Sequence, residues 1–373
     1  MILSLDAVVW DSSSISYQVK TYDRTMPETK ALLTHLGRTF ITSVTLQVAA
    51  NQNLRCQSFT NVAASTLFAS PSTAGSQSFA SYLANTGRVE AILFPFTQYP
   101  WLKVWSVCPN MPLLSRHTTA PYNYVFPDII PHSVAVLVNK IISGNPEAAL
   151  ELGPTEYAVT VAGLAAFLAS DLWGAAKNTQ LYIKASTLRL AEGGGVVLCQ
   201  RSDVQRAVSK FAAKYNSLVA SYQANGQYPM NGPTEIRATG LDSGSTVLVS
   251  GAEPPCLFAL TERSDQPTWD TALWLNMLTI PGTPGSYNFY TDMAAWARSN
   301  YASYAGVRVE WSKGWAYTST GPWTDTNAMT VTLPNDFTIG RTSTDDFAWA
   351  LATYDTLDPH RIFLNPLLDL LAP

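Results

Sequence analysis

At 373 residues, 47% of them hydrophobic and only 13% charged, the chain is long enough for one large domain or two and apolar enough to fill a sizeable core. A net charge of −4 with no basic run or basic helix face argues against nucleic acid as a partner, and four dispersed cysteines without CxxC spacing, with four histidines never paired at i+2 or i+4, lend no support to a zinc site or disulfide scaffold. Eleven Trp, 17 Tyr and 14 Phe point instead to aromatic-lined surfaces suited to apolar ligands or broad interfaces, and no apolar run approaches the roughly 20 residues needed to cross a bilayer.

The opening MILSLDAVVWD carries acid where a signal peptide would carry basic residues, so it reads as a strand, and no signal peptide is expected. A second strand follows near 14–21, then a helix over 27–36 closed by Gly37 at a C′ position, then a strand over 40–48. These fifty residues are too few to close a core alone and should pack on something larger. Beyond Leu54 come the strands LRCQSFT, RVEAILFPFT and WLKVWSVC, with a helix near 76–86. Glu90 is the lone acid in its strand. It faces solvent at a strand end or sits in an apolar pocket with a raised pKa.

Residues 109–130 are a Pro-rich connection expected to be irregular and placed where a lid would be. Pro131 opens a helix with Val134, Leu137, Val138 and Ile141 on one stripe, and a second apolar helix is expected over 160–170. QLYIKASTLRL reads as a strand that leads through Glu192 into Gly193, Gly194 and Gly195. The triplet lacks the spacing of a phosphate-binding loop and reads as a tight hairpin.

Ser202 and Gln205 suggest a capping box for a long amphipathic helix, Val204 to Tyr222, whose stripe is core. After it, EIR in residues 231–242 sets Glu235 and Arg237 two residues apart on one strand face, with Ile236 turned to the core. Taken by itself that is an ordinary surface ion pair. Asn276 is the lone amide in TALWLNMLTI, a helix follows near 286–300, and in VRVEWSKGWAY only a bulge or turn at 312–314 brings Glu310 and Lys313 to one side. Ser343 and Asp346 cap a last helix, and HRIFLNPLLDLLAP closes the chain as an apolar tail in need of a dock.

Strands carrying one or two charges in apolar runs, alternating with amphipathic helices, predict an α+β fold: a large antiparallel sheet covered on one face by helices, with a cavity on the other. Glu90, Glu192, Glu235, Arg237, Asn276, Glu310 and Lys313 on one cavity-facing surface would push at least one carboxyl toward the range of a general base.

NGPTEIR, VEAILFPFTQYPWLKVW, YIKASTLRLAEGGG, WLNMLTIPGTPG, VEWSKGWAY and DPHRIFLNPLLDLLAP closely resemble the cholesterol oxidases of the vanillyl-alcohol-oxidase flavoprotein type, over nearly the whole chain. The E-x-R and W-x-K elements are shared more loosely with polyol and sugar oxidases. The resemblance implies an FAD enzyme that oxidises a 3-hydroxysteroid with O2, gives H2O2 and isomerises the steroid double bond. It implies that Glu235 and Arg237 form a paired gate beside the flavin, with Arg237 stabilising developing negative charge. It makes Glu90 an active-site carboxylate and candidate base, and places Glu192, Asn276, Glu310 and Lys313 along the same cavity.

It further implies that residues 1–52 are the C-terminal remnant of an FAD-binding domain and 53–373 a substrate-binding domain, whose tail, 341–373, returns toward the flavin domain. The pyrophosphate-binding strands and the flavin-linking histidine of that family have no counterpart here. The expected partners are therefore a sterol or other apolar alcohol, O2, and a separately supplied N-terminal flavin segment. A non-catalytic sterol or hydrophobic-ligand binding module is the alternative, with a polyol or sugar oxidase as a weaker one. Cellular location is left open.

Overall fold

The computed structural model describes residues 1–371 and contains two sheets. The smaller is antiparallel, ordered β2 (Ser16–Asp23), β1 (Ile2–Asp11), β3 (Phe40–Leu46). Alternation in β1 buries Leu5, Ala7 and Val9 against Tyr22, Leu32 and Leu357, while Phe40, Val44 and Leu46 on β3 are exposed. The expected helix over 27–36 is reduced to Thr29–Leu32, with Gly37 left-handed behind it.

The larger sheet takes strands from most of the remaining chain: β4 (Asn53–Phe59), β5 (Arg88–Leu93), β6 (Trp101–Val107), β7 (Arg116–Thr118), β8 (Asp171–Ala175), β9 (Ala191–Cys199), β10 (Thr234–Gly240), β11 (Thr271–Thr279) and β12 (Ala305–Arg308). Their order is β12-β9-β11-β10-β5-β6-β4-β8-β7, antiparallel except for the β7–β8 edge. One face carries Val89, Ala91, Leu102, Val104, Ile236, Leu273 and Leu275 and is covered by the helices Phe79–Thr86, Val204–Ala224 and Ser286–Tyr301, whose Phe79, Phe211, Tyr215 and Phe289 fill the main core. The other face holds two apolar patches. Leu54, Cys56, Ile92, Trp101 and Leu172 meet Tyr124, Leu164 and Tyr182 on one side, and Val196, Leu198 and Ala272 meet Ala259 on the other.

Several local expectations give way to longer-range contacts. The helix expected over 160–170 runs Ala149–Ala166 and contains Pro154, which has no N–H to give the Leu150 carbonyl one turn earlier. Residues 181–190 form no strand; they wrap the sheet's second face and contribute Tyr182, Ile183, Thr187 and Leu188 to a cavity wall. Gly193, Gly194 and Gly195 make no hairpin and lie inside β9. They are glycines because a Cβ on Gly193 would stand 2.5 Å from the Tyr290 ring and one on Gly194 2.1 Å from the Leu275 carbonyl oxygen. The capping box is absent as well. Buried Gln205 donates instead to the carbonyls of Leu67 and Ala69 and accepts from the Ala80 N–H, tying helix to loop.

The last helix, Phe347–Leu357, is capped by Asp346, whose side chain accepts from the Trp349 N–H. It packs on the N-terminal segment: the Tyr354 hydroxyl donates to the carbonyls of Ala31 and Thr34, and Arg38 pairs with Asp355 at 2.6 Å. The tail adds a short helix, Pro366–Leu371, with Leu368 and Leu371 buried.

Candidate active site

Antiparallel register sets residues of neighbouring strands side by side on one face. Across the middle of the large sheet it aligns Trp274, Arg237, Glu90 and Lys103 in one row, and Asn276 and Glu235 in the next. This charged strip separates the two apolar patches of the second face. Arg237 Nη2 donates to Glu235 Oε2 at 2.6 Å and reaches Asn276 Oδ1 at 3.4 Å, while its Nε lies 3.6 Å from Glu90 Oε1. Asn276 Nδ2 donates to Glu310 Oε2 at 2.7 Å, and Ser312 Oγ donates to Glu310 Oε1.

The turn demanded by the sequence is present: the Lys313 N–H donates to the Glu310 carbonyl. It swings Lys313 onto Glu192, an ion pair beside the strip that makes no direct hydrogen bond to the rest of it. Thus Glu90, Glu192, Glu235, Arg237, Asn276, Glu310 and Lys313 all meet on one face, and Glu90 is buried rather than at a solvent-facing strand end.

Two members were not singled out from the sequence. Lys103 is fully buried, 3.5 Å from Glu90 Oε2, with its ammonium 4.9 Å from the Trp101 ring, 4.8 Å from Trp105, 5.1 Å from Tyr124 and 2.9 Å from Tyr182. The Tyr182 hydroxyl donates to both Glu90 oxygens at 3.3 and 3.4 Å. The signal for Lys103 was the alternation in WLKVW, which puts one cation between two indoles on the same face.

Four carboxyls face three cations on this strip, so one proton would neutralise it. Glu235 is the group best placed to hold that proton: burial first, then the Glu90 carboxylate, push it up to about 7. Burial pushes Glu192 upward too and Lys103 downward. A folded-state pKa above the unfolded 4.5 means that the native chain holds this proton more tightly, so stability should fall as pH rises from about 4.5 to 7. We expect the urea midpoint to drop less between pH 5 and 8 in Glu235→Gln than in the unsubstituted chain. Equal drops would show that Glu235 does not titrate this way.

Glu235 also borders an apolar cavity of about 190 Å³ walled by Phe94, Phe126, Val134, Val159 and Leu190. That is smaller than the roughly 300–1,000 Å³ of typical small-molecule sites, so a four-ring ligand would need its rim, which includes Pro127 and Ile130 of the Pro-rich loop, to open. A second cleft of about 450 Å³ adjoins the strip at Glu310, between Trp274 and Trp311 on one side and Ile2 and Arg24 on the other. Next to Trp274 in the register, the Arg237 side chain is over one-third exposed. A planar, polar-edged ring fits that combination of flat indoles with the Glu310 carboxylate and the Ser312 hydroxyl in the same lining. No group of three or more His, Cys, Asp and Glu arranged to hold a metal occurs among the described residues.

The sequence profile of the family described as "Cholesterol oxidase, substrate-binding" matches residues 53–373. Among solved structures, the fold is similar to a solvent-stable cholesterol oxidase, at 46% identity and a TM-score of 0.98, and to cholesterol oxidase from B. sterolicum, at 42% and 0.97. In both cases the match covers 100% of this chain and 69% of the other. No curated protein sequence matches the chain.

Proposed function

Because the chain belongs to the cholesterol oxidase substrate-binding family, we propose that it is the substrate-binding portion of an FAD-dependent sterol oxidase. In this reading a 3-hydroxysteroid and O2 give the 3-ketosteroid and H2O2. The observation that carries it is the Glu235 carboxyl at the wall of an apolar cavity, bonded to Arg237 behind it and tuned to about 7.

The sterol's rings lie in the apolar cavity and its hydroxyl meets Glu235. A carboxyl titrating near neutrality can take the hydroxyl proton and return one later in the cycle. Arg237, fixed by Glu235 and Asn276 and flanked by Glu90, stabilises the alkoxide charge that grows as the proton leaves. Trp274, Asn276, Glu310 and Arg237 would hold the flavin ring, which when bound supplies the acceptor for the hydride of the carbinol carbon. Glu90, held by Lys103, Tyr182 and Arg237, is the second carboxylate, and moving a proton from C4 to C6 of the steroid, the isomerisation step, needs only such a group. A separate flavin-binding segment is the partner this reading calls for.

The second reading, a non-catalytic sterol-binding module, is favoured by one fact: every residue lining the apolar cavity lies within the segment that matches the substrate-binding family. The test is a visible absorbance spectrum after incubation with FAD and removal of free cofactor, paired with titration of a fluorescent sterol. Sterol binding with a retained flavin band supports the oxidase, and sterol binding without it supports the module or a two-part enzyme. Absence of sterol binding would overturn both.

A further inference from the structure

Of the polar groups on the charged strip, Glu235 and Tyr182 also line the apolar cavity, whereas Glu90 does not. A steroid in that cavity therefore reaches the Glu90 carboxylate through other side chains, and two routes connect them. One passes through Glu235 and the Arg237 guanidinium, whose Nε lies 3.6 Å from Glu90 Oε1. A guanidinium keeps its protons and has no acceptor, so this route can balance charge but cannot pass a proton. The other passes through Tyr182, whose hydroxyl donates to both Glu90 oxygens and keeps lone pairs with which to accept. The ring is held in place: Trp101 and Tyr124 meet it edge-on, each at 5.9 Å, and the Lys103 ammonium lies on its face. Burial first, then the Glu90 and Glu235 charges, push the phenol well above the usual tyrosine range, so at rest it is a protonated donor to Glu90.

We propose that Tyr182 is a catalytic residue, the hydroxyl through which Glu90 exchanges a proton with the steroid during double-bond isomerisation. The inference rests on the cavity being the steroid site of the proposed oxidase. In a 5-en-3-one steroid the C4–H bond breaks, its proton bonds to the Tyr182 oxygen, and the phenolic proton passes to Glu90 in the same step. The electron pair left at C4 moves toward the C3 oxygen, giving a dienolate. The relay then runs backward: Glu90 returns its proton to Tyr182, the proton on Tyr182 goes to C6, and the double bond comes to rest between C4 and C5. Nothing is oxidised or reduced, and no phenolate is left in the apolar setting. Glu235, in its protonated form, is the cavity-lining group that can donate to the dienolate oxygen.

The step needs no flavin, so the test uses the chain by itself. Cholest-5-en-3-one is the substrate, the ultraviolet absorbance of the conjugated product reports the rate above the spontaneous one, and tryptophan fluorescence reports affinity for that product. The unsubstituted chain should isomerise the substrate. Tyr182→Phe, which deletes only the hydroxyl, should do so about 10²-fold or more slowly, with product affinity changed by less than about threefold. Glu90→Gln should lose a similar factor, and the double variant should be no slower than the slower single variant, because the two groups act as one path. Three results would each overturn the relay and leave the steroid-site reading standing: a Tyr182→Phe rate within about threefold of the unsubstituted one, losses that multiply in the double variant, or product binding by an unsubstituted chain that does not isomerise the substrate. If no steroid bound, both would fall together.

Discussion

Lys103→Ala should lower the unfolding free energy by about 3–5 kcal/mol, the cost of stranding a buried carboxylate by deleting its partner. Glu90 and Lys103 are both buried, and the ammonium makes no close hydrogen bond; what holds it is the Glu90 charge at 3.5 Å and four aromatic faces. Burial favours the uncharged amine while Glu90 opposes that shift. The decisive comparison is a double-mutant cycle by urea unfolding. Glu90→Gln combined with Lys103→Met removes both charges, fills the aromatic box with an apolar chain, and should recover most of the stability lost in Lys103→Ala. If Lys103→Ala unfolded at the same urea concentration as the unsubstituted chain, the pair would contribute nothing.

In flavin-loaded protein, Arg237→Ala should slow bleaching of the flavin by sterol by about 10²-fold or more, with sterol affinity changed by less than about threefold. Removing a preorganised donor aimed at developing charge costs roughly that much. The guanidinium touches Glu235, Asn276 and Glu90 but does not line the apolar cavity, so it should act on the rate and not on binding. Arg237→Lys should rescue only partly, since a point charge cannot bridge three acceptors in one plane. A large loss of sterol affinity with an unchanged bleaching rate would move Arg237 from the chemistry to substrate binding.

Period-2 alternation made most of the sheet legible, because burial on one face forces it: Glu235 and Arg237 outward with Ile236 inward is what the strand shows. The turn at Glu310–Lys313 was legible for a geometric reason, since no regular strand brings those side chains together. What escaped was set by partners far away in sequence. The glycine triplet answers to Tyr290 and Leu275, and the alternation in 181–190 serves a cavity wall where a sheet ladder was expected. Gln205 bonds a loop well over a hundred residues upstream rather than its own helix end. Lys103 looked like an ordinary strand lysine because its cage is assembled from three separate segments.

The strand order also fixes when the charged strip can come into being. β5 and β6 are joined by a short connection and pair locally, so Glu90 and Lys103 meet as soon as that hairpin closes. The other neighbour of β5, β10, is more than a hundred residues downstream, and a contact at that separation carries a large loop-closure cost and forms slowly. On a ribosome adding about 5–20 residues per second, Glu90 would therefore wait many seconds for Arg237. During that interval Lys103 is the counterion that lets the nascent hairpin keep a carboxylate in an apolar setting.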